Sequence, residues 1–246
     1  MRWDTCSLTL VLAIGAGILR ADETPADLLR ESDLTTLAPA SFRARLTLAQ
    51  AQGTQLNLEV WREGESRTLV RFLDAKERGK YLLKRDGVLW FLSPQAKAPV
   101  KLNPSYKLSG AASLDDILGT RYSREYRILG ANETEGLVAL DLEALAPSAS
   151  HPHVRYVVGR ESRRPVRVEF SSPSGKATGS VEFISWEEGQ RPRPRRLHLT
   201  DMLRPKASVT VEISEVKERP VPDALFDLLD SSARRALETG GLRKEF

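Results

Sequence analysis

The sequence predicts a mainly β protein: one large antiparallel sheet of about eleven strands, with helices only near its ends and at a central crossover. Three observations carry this. Apolar residues alternate with polar ones in short runs along most of the chain, the period of half-buried strands. Turn-forming pairs such as Asp86-Gly87 separate those runs. A stretch with Pro94, Pro99 and Pro104 interrupts the rhythm once, in the middle. A sheet of this size must bury a face, against a second sheet or by curling around its own side chains and the helices.

The N-terminus stands apart. Arg2 precedes an apolar run from Cys6 to Leu19, followed by Ala21 and acidic residues. That run is too short for a stable membrane anchor and suits the hydrophobic region of an export signal. Residues 1–21 are therefore expected to be a signal peptide cleaved near Ala21, and residues 22–246 one domain. Cleavage would remove Cys6, the single cysteine, leaving a chain without disulfide, thiol nucleophile or zinc-thiolate chemistry.

From Thr24 to Leu37, Leu28, Leu29, Leu34 and Leu37 share a helical face, with Pro25 at the start and Pro39 as the stop. Strands are then expected over Phe42 to Leu48, Leu56 to Val60, Thr68 to Leu73, Lys80 to Leu83 and Val88 to Leu92. The Asp86-Gly87 pair suits a tight hairpin between the last two. Prolines cannot donate to a ladder, so the following segment reads as edge or loop, with at most a short strand at Val100 to Leu102. Ser113 can cap a short helical turn, with Asp115 and Asp116 near its positive end. Strands resume at Tyr126 to Leu129 and continue through Leu137 to Leu142, Arg155 to Val158, Val166 to Phe170, Ser180 to Trp186, Arg195 to Asp201 and Ala207 to Val216. The tail with Leu225, Phe226 and Leu229 is expected to dock over an open side of the sheet.

The chemistry the sequence lacks is informative. It contains no HExxH, GxSxG or CxxC and no glycine-rich phosphate cradle. His151 and His153 share a polar loop, and Asp115 and Asp116 read as a cap, not an acid/base pair. An enzyme, a cofactor and a bound metal are therefore not expected. The formal charge of +4 is spread along the chain apart from RPRPRR at 191–196 and ESRRPVR at 161–167. Such clusters can contact phosphates or anionic lipid heads. Without a recognition motif they do not indicate nucleic acid.

The remaining signal is apolar payload. Trp61, Phe72, Trp90, Phe91, Tyr106 and Trp186 lie in or beside predicted strands, and Leu114 and Leu118 in the capped turn. These eight are candidates for lining a ligand cavity, where each buried methylene would contribute roughly 0.8 kcal/mol. Simple core packing is the competing role for each of them.

Residues 67–102, with Trp90, Pro94 and Lys101 in an "LW…P…K" order, residues 110–118 (GAASLDDIL) and residues 221–228 (VPDALFDL) together resemble the LolA-like superfamily, specifically its outer membrane lipoprotein-sorting protein branch. In that alignment Asp116 matches the acidic pair of the family's "GSDFSYEDL" segment. Ala111, Ala112 and Leu114 depart from it. The resemblance implies an incomplete, strongly curved antiparallel β-barrel with helices covering its open side, as in LolA and LolB. It also implies a periplasmic carrier of lipoprotein or lipid acyl chains, with inner- or outer-membrane transport proteins as partners and transient membrane contact. A non-transporting lipid-sensing or protein-binding module of the envelope is the alternative.

Overall fold

A computed structural model describes residues 23–36, 40–103, 106–118, 120–147 and 149–230; the expected signal segment and the basic end of the tail lie outside them. The first element, α1 (Pro25–Thr36), starts at a reciprocal cap. The Thr24 hydroxyl donates to Asp27 Oδ2 at 2.7 Å and accepts from the Asp27 N–H at 3.2 Å. Leu28 and Leu29 of α1 are fully buried in the core, whereas Leu34 is exposed.

The strands then run in two series. The first is β1 (Ser41–Gln50), β2 (Gln55–Glu63), β3 (Arg67–Phe72), β4 (Tyr81–Arg85), β5 (Val88–Leu92) and β6 (Val100–Leu102). A two-stranded ribbon, β7 (Lys107–Ser109) with β8 (Ala112–Ser113), leads into α2 (Leu114–Leu118) and α3 (Tyr122–Glu125). The second series is β9 (Tyr126–Thr134), β10 (Leu137–Ala144), β11 (His153–Gly159), β12 (Pro165–Ser171), β13 (Ala177–Glu187), β14 (Arg193–Asp201) and β15 (Val209–Glu218).

All thirteen main strands join one antiparallel sheet in the order β6-β5-β4-β3-β2-β1-β15-β14-β13-β12-β11-β10-β9. The first and last strands therefore meet in the middle, and each series steps outward to its own edge. The link between the edges carries the ribbon, α2 and α3. The Asp86-Gly87 hairpin forms as its residues require: φ is +52° at Asp86 and +76° at Gly87, the left-handed pair of a tight turn joining β4 to β5.

The expected incomplete, strongly curved barrel is not what these residues build. The sheet is open, neither closed nor strongly curled, because its end strands β6 and β9 each pair with a single neighbour. The physical reason lies at the β6 end. Pro99 precedes a strand of three residues, whose three register pairs are all used on β5, so it offers too little ladder to close on anything. The mainly β, antiparallel part of the expectation stands, with more strands than the eleven anticipated.

One face of the sheet packs with α1, α2 and α3 around a single large core that includes Phe42, Leu58, Val70, Leu82, Leu140 and Val211. Among the described residues, the opposite face is covered over β2 to β5. There the tail lays Val221, Leu225, Phe226 and Leu228 on Trp61, Leu69, Tyr81, Leu83 and Leu92. Polar contacts pin it: the Val221 N–H donates to Glu63 Oε2 at 2.9 Å, and Arg67 pairs with Asp223 while lying over the Phe226 ring.

Candidate functional site

In the segment Ala112–Leu118, apolar residues and buried charge meet contacts from both strand series. Its local structure follows from Ser113, whose hydroxyl accepts the Asp116 N–H at 3.2 Å while Asp116 Oδ2 accepts the Ser113 N–H at 3.3 Å. Helical spacing then points Leu114, Ile117 and Leu118 into the core. Upstream, Gly110 has φ +52°, and a Cβ there would stand 2.3 Å from the Ala207 carbonyl oxygen. That close approach lets the Ala111 N–H donate to the same carbonyl at 2.7 Å, docking the ribbon on the loop before β15.

The two adjacent aspartates of α2 are splayed to opposite sides and fasten it to different parts of the molecule. Asp115 pairs with Lys84 on β4. Asp116 pairs with Lys107 Nζ at 2.9 Å through Oδ2 and with His151 Nε2 at 2.9 Å through Oδ1. Arg62, on β2, donates from Nη1 to the Leu118 carbonyl at 3.0 Å. Burial alone would raise the pKa of Asp116, but hydrogen bonding and charge from His151, with Lys107 and Ser113 adding to them, hold the carboxyl well below the usual range. His151 is itself fixed, stacked on Phe170 with ring centres 3.7 Å apart, and its carbonyl accepts the Tyr126 hydroxyl at 2.9 Å.

Beside this cluster lies a half-open cleft of about 470 Å³, bordered by Lys107, Ser113, Asp116, His151, Phe170 and Arg204 among others. Its lining is mixed, polar and apolar. Beneath α2 the picture is different: the apolar space enclosed by Ile117, Tyr122, Tyr156, Val168, Val181 and Phe183 amounts to about 20 Å³. Drug-sized ligands occupy sites of roughly 300–1,000 Å³, so this gap holds no hydrocarbon chain. Among the described residues, Leu114, Ile117 and Leu118 of the helix are packed into the core there.

The eight residues expected to line a cavity do not share one compartment. Strand alternation separates them: Val60, Val70, Leu82 and Phe91 form one cross-strand row on the helix-covered face. Trp61, Leu69, Leu83 and Trp90 form the next row, on the tail-covered face. Phe72, Leu114 and Leu118 are buried with the first row, and Phe91 packs against them. Trp61 is buried under the tail with Trp90 beside it. Tyr106 is 38% exposed next to the ribbon. Trp186 stacks on Phe183 at 5.8 Å near one end of β13, with the Arg164 guanidinium 5.3 Å from its ring.

The Asp116–His151 contact, across 35 positions, was not visible in the sequence, where Asp116 read as part of a helix cap and His151 as part of a polar loop. A histidine next to a carboxylate invites a catalytic reading. Among the described residues, no serine hydroxyl is hydrogen-bonded to His151, whose Nε2 is instead engaged by Asp116. No group of three or more potential metal ligands occurs among them either. What the cluster can do is hold α2 in place.

Comparison with known proteins follows the fold. A family model described as "-like: Uncharacterized protein" matches residues 64–229, more than half of the chain. The chain belongs to that family. No curated protein matches the sequence. Among solved structures, the family's fold as seen in this chain is similar to a LolA superfamily protein from Nitrosomonas europaea, with a TM-score of 0.72 and 23% identity, covering 83% of this chain and 98% of the other. It is also similar to a domain from Vibrio parahaemolyticus described as outer membrane lipoprotein-sorting, with a TM-score of 0.67 and 15% identity, covering 85% and 98%. The chain therefore has the LolA-superfamily fold.

Proposed function

We propose that this family member is a non-transporting, lipid-sensing module of the cell envelope, a single domain of residues 22–246 exported to the periplasm. The observation that carries this reading is α2, fastened by Asp115 on one side and Asp116 on the other, with Leu114, Ile117 and Leu118 packed into the core beneath it. A carrier needs standing room for its cargo. A sensor needs a closed form that an apolar ligand can open only by displacing Leu114, Ile117 and Leu118, so that occupancy and helix position are coupled. The likeness to LolA-superfamily structures supports an envelope setting, with lipid or lipoprotein acyl chains as the ligand class and a membrane protein as the receiver of the signal.

The test is a titration of delipidated protein with a fluorescent fatty-acyl probe. Wild type takes up the probe weakly. Lys84→Gln, which cuts a partly exposed ion pair at a stability cost of about 1 kcal/mol or less, raises probe affinity about threefold. Stoichiometric tight uptake by wild type, unchanged in Lys84→Gln, would return the carrier reading. No uptake by either would leave the protein-binding form of the module.

A further inference from the structure

A second cleft, separate from α2's cluster, lies where α3, the β2–β3 turn, the β13–β14 hairpin and the end of β15 come together. Its volume is about 770 Å³, and the guanidiniums of Arg62, Arg121, Arg124, Arg191 and Arg193 line it against two carboxylates, Glu65 and Glu218. Two of the five come from the basic run at 191–196.

The charges in this cleft are not balanced internally. Arg62 spends its donors on the carbonyls of Gly64 and Leu118, at 3.0 Å each. Arg121 and Arg124 share the single carboxylate of Glu65. Arg193 is held by Glu187 through two bonds, at 3.0 and 2.7 Å. Arg191 is exposed and forms no ion pair among the described residues. The Arg121 Nε is buried and has no hydrogen-bond partner there. Burial lowers the pKa of Arg62, with repulsion from Arg121 adding to it and attraction to Glu65 and Asp115 opposing it. The other basic run behaves differently: Arg163 pairs with Glu23 and Arg164 pairs with both oxygens of Glu188, so that cluster is neutralised.

We propose that the arginine cleft binds a phosphate-bearing anion. Guanidinium forks match phosphate oxygens two at a time, and a phosphate offers enough oxygens for several converging forks at once. Leu34, 64% exposed, stands on the rim together with Ala40 and Pro192, giving an apolar shoulder beside the charge. An anionic phospholipid headgroup fits both features, and a soluble phosphate ester fits the first. The cleft shares Arg62 with the fastening of α2, but the variants below leave Arg62, Asp115 and Asp116 in place, so failure of this assignment leaves the sensing reading untouched.

The experiment uses the mature chain and two double variants of equal net charge. Arg124→Gln/Arg191→Gln removes two cleft charges that hold nothing in the core. Arg195→Gln/Arg196→Gln removes two charges of the same basic run that do not line the cleft. Binding is read by co-sedimentation with phosphatidylglycerol/phosphatidylcholine vesicles and by calorimetric titration with inorganic phosphate, with melting temperatures confirming that both variants fold. The cleft variant loses at least fivefold in affinity, and the control changes less than twofold. Loss in the vesicle arm alone identifies a lipid headgroup, and loss in the phosphate arm as well identifies the phosphate group itself. Equal loss in both variants, or no binding by wild type in either arm, overturns the proposal.

Discussion

Strands β2 to β5 and strands β10 to β13 belong to one sheet yet live in different surroundings. In the first group buried residues run together: five in a row from Leu58 to Arg62, three in Thr68 to Val70 and three in Tyr81 to Leu83. In the second group burial alternates along β10 and β11, in Leu137 to Leu142 and His153 to Val158, and a run of three occurs only on β13, at Gly179 to Val181. The tail makes the difference. It covers the outer face of β2 to β5, whereas the outer face of the other group is left with exposed Val166 and Ile184. A strand covered on both sides reads as a continuous apolar run, and one covered on a single side reads as an alternation. Runs such as YLL and VLWFL announce a second cover, not a deeper cavity.

The most severe way to break this contrast is to remove the tail's anchor. Phe226 is 1% exposed, and Phe226→Ala is expected to cost about 3–5 kcal/mol in urea unfolding. Limited proteolysis should then cut the tail first.

A second experiment asks what holds the cover over the other group. There α1 carries Ser32, bonded to the Tyr156 hydroxyl at 2.8 Å, and Asp33, whose Oδ2 accepts the Ser123 N–H at 2.7 Å. Burial pushes the Asp33 carboxyl up to about 6, against an ordinary value of 3.8, despite the hydrogen bonds from Ser123. A raised carboxyl pKa means the folded state holds its proton more tightly than the unfolded chain. Its contribution is complete below pH 3.8 and fades as pH climbs through about 6. Thermal melts should show a loss of roughly 3 kcal/mol from this group between about pH 4 and pH 7, and Asp33→Asn should flatten that slope. A slope unchanged by the substitution would show that α1 is held without regard to this carboxyl. The smallest effect belongs to the uncovered face, where Val166→Thr should shift stability by no more than about 0.5 kcal/mol.

Much of this was legible in the sequence, for physical reasons that can be named. Strand positions, the Asp86-Gly87 hairpin and the Ser113 cap rest on neighbours within a few residues, and alternation or turn chemistry encodes them; the apolar run of the tail showed that it must dock, but not that Glu63 and Arg67 would receive it. The same alternation separates Trp90 from Phe91, since adjacent residues of a strand face opposite ways. Closure was not encoded locally. It depends on whether β6 and β9, distant at either end, find each other. Nor did anything near Asp116 reveal His151, because the loop carrying it reads as solvent-facing until the strands before and after it are paired. The arginine cleft was half visible: the run at 191–196 supplied the charge, and only the fold brought Arg62, Arg121 and Arg124 beside it.

The pairing of β1 with β15 has a kinetic consequence. Each meander can zip up through short hairpins, but the central seam joins residues such as Leu46 and Ile213, separated by most of the chain. Bringing such distant partners together carries a loop-closure penalty that local hairpins escape, and it slows the last step of folding. During synthesis the seam cannot form until the final strand has emerged. Until then β1 has an open edge, one that a chaperone or a neighbouring molecule could occupy in its place.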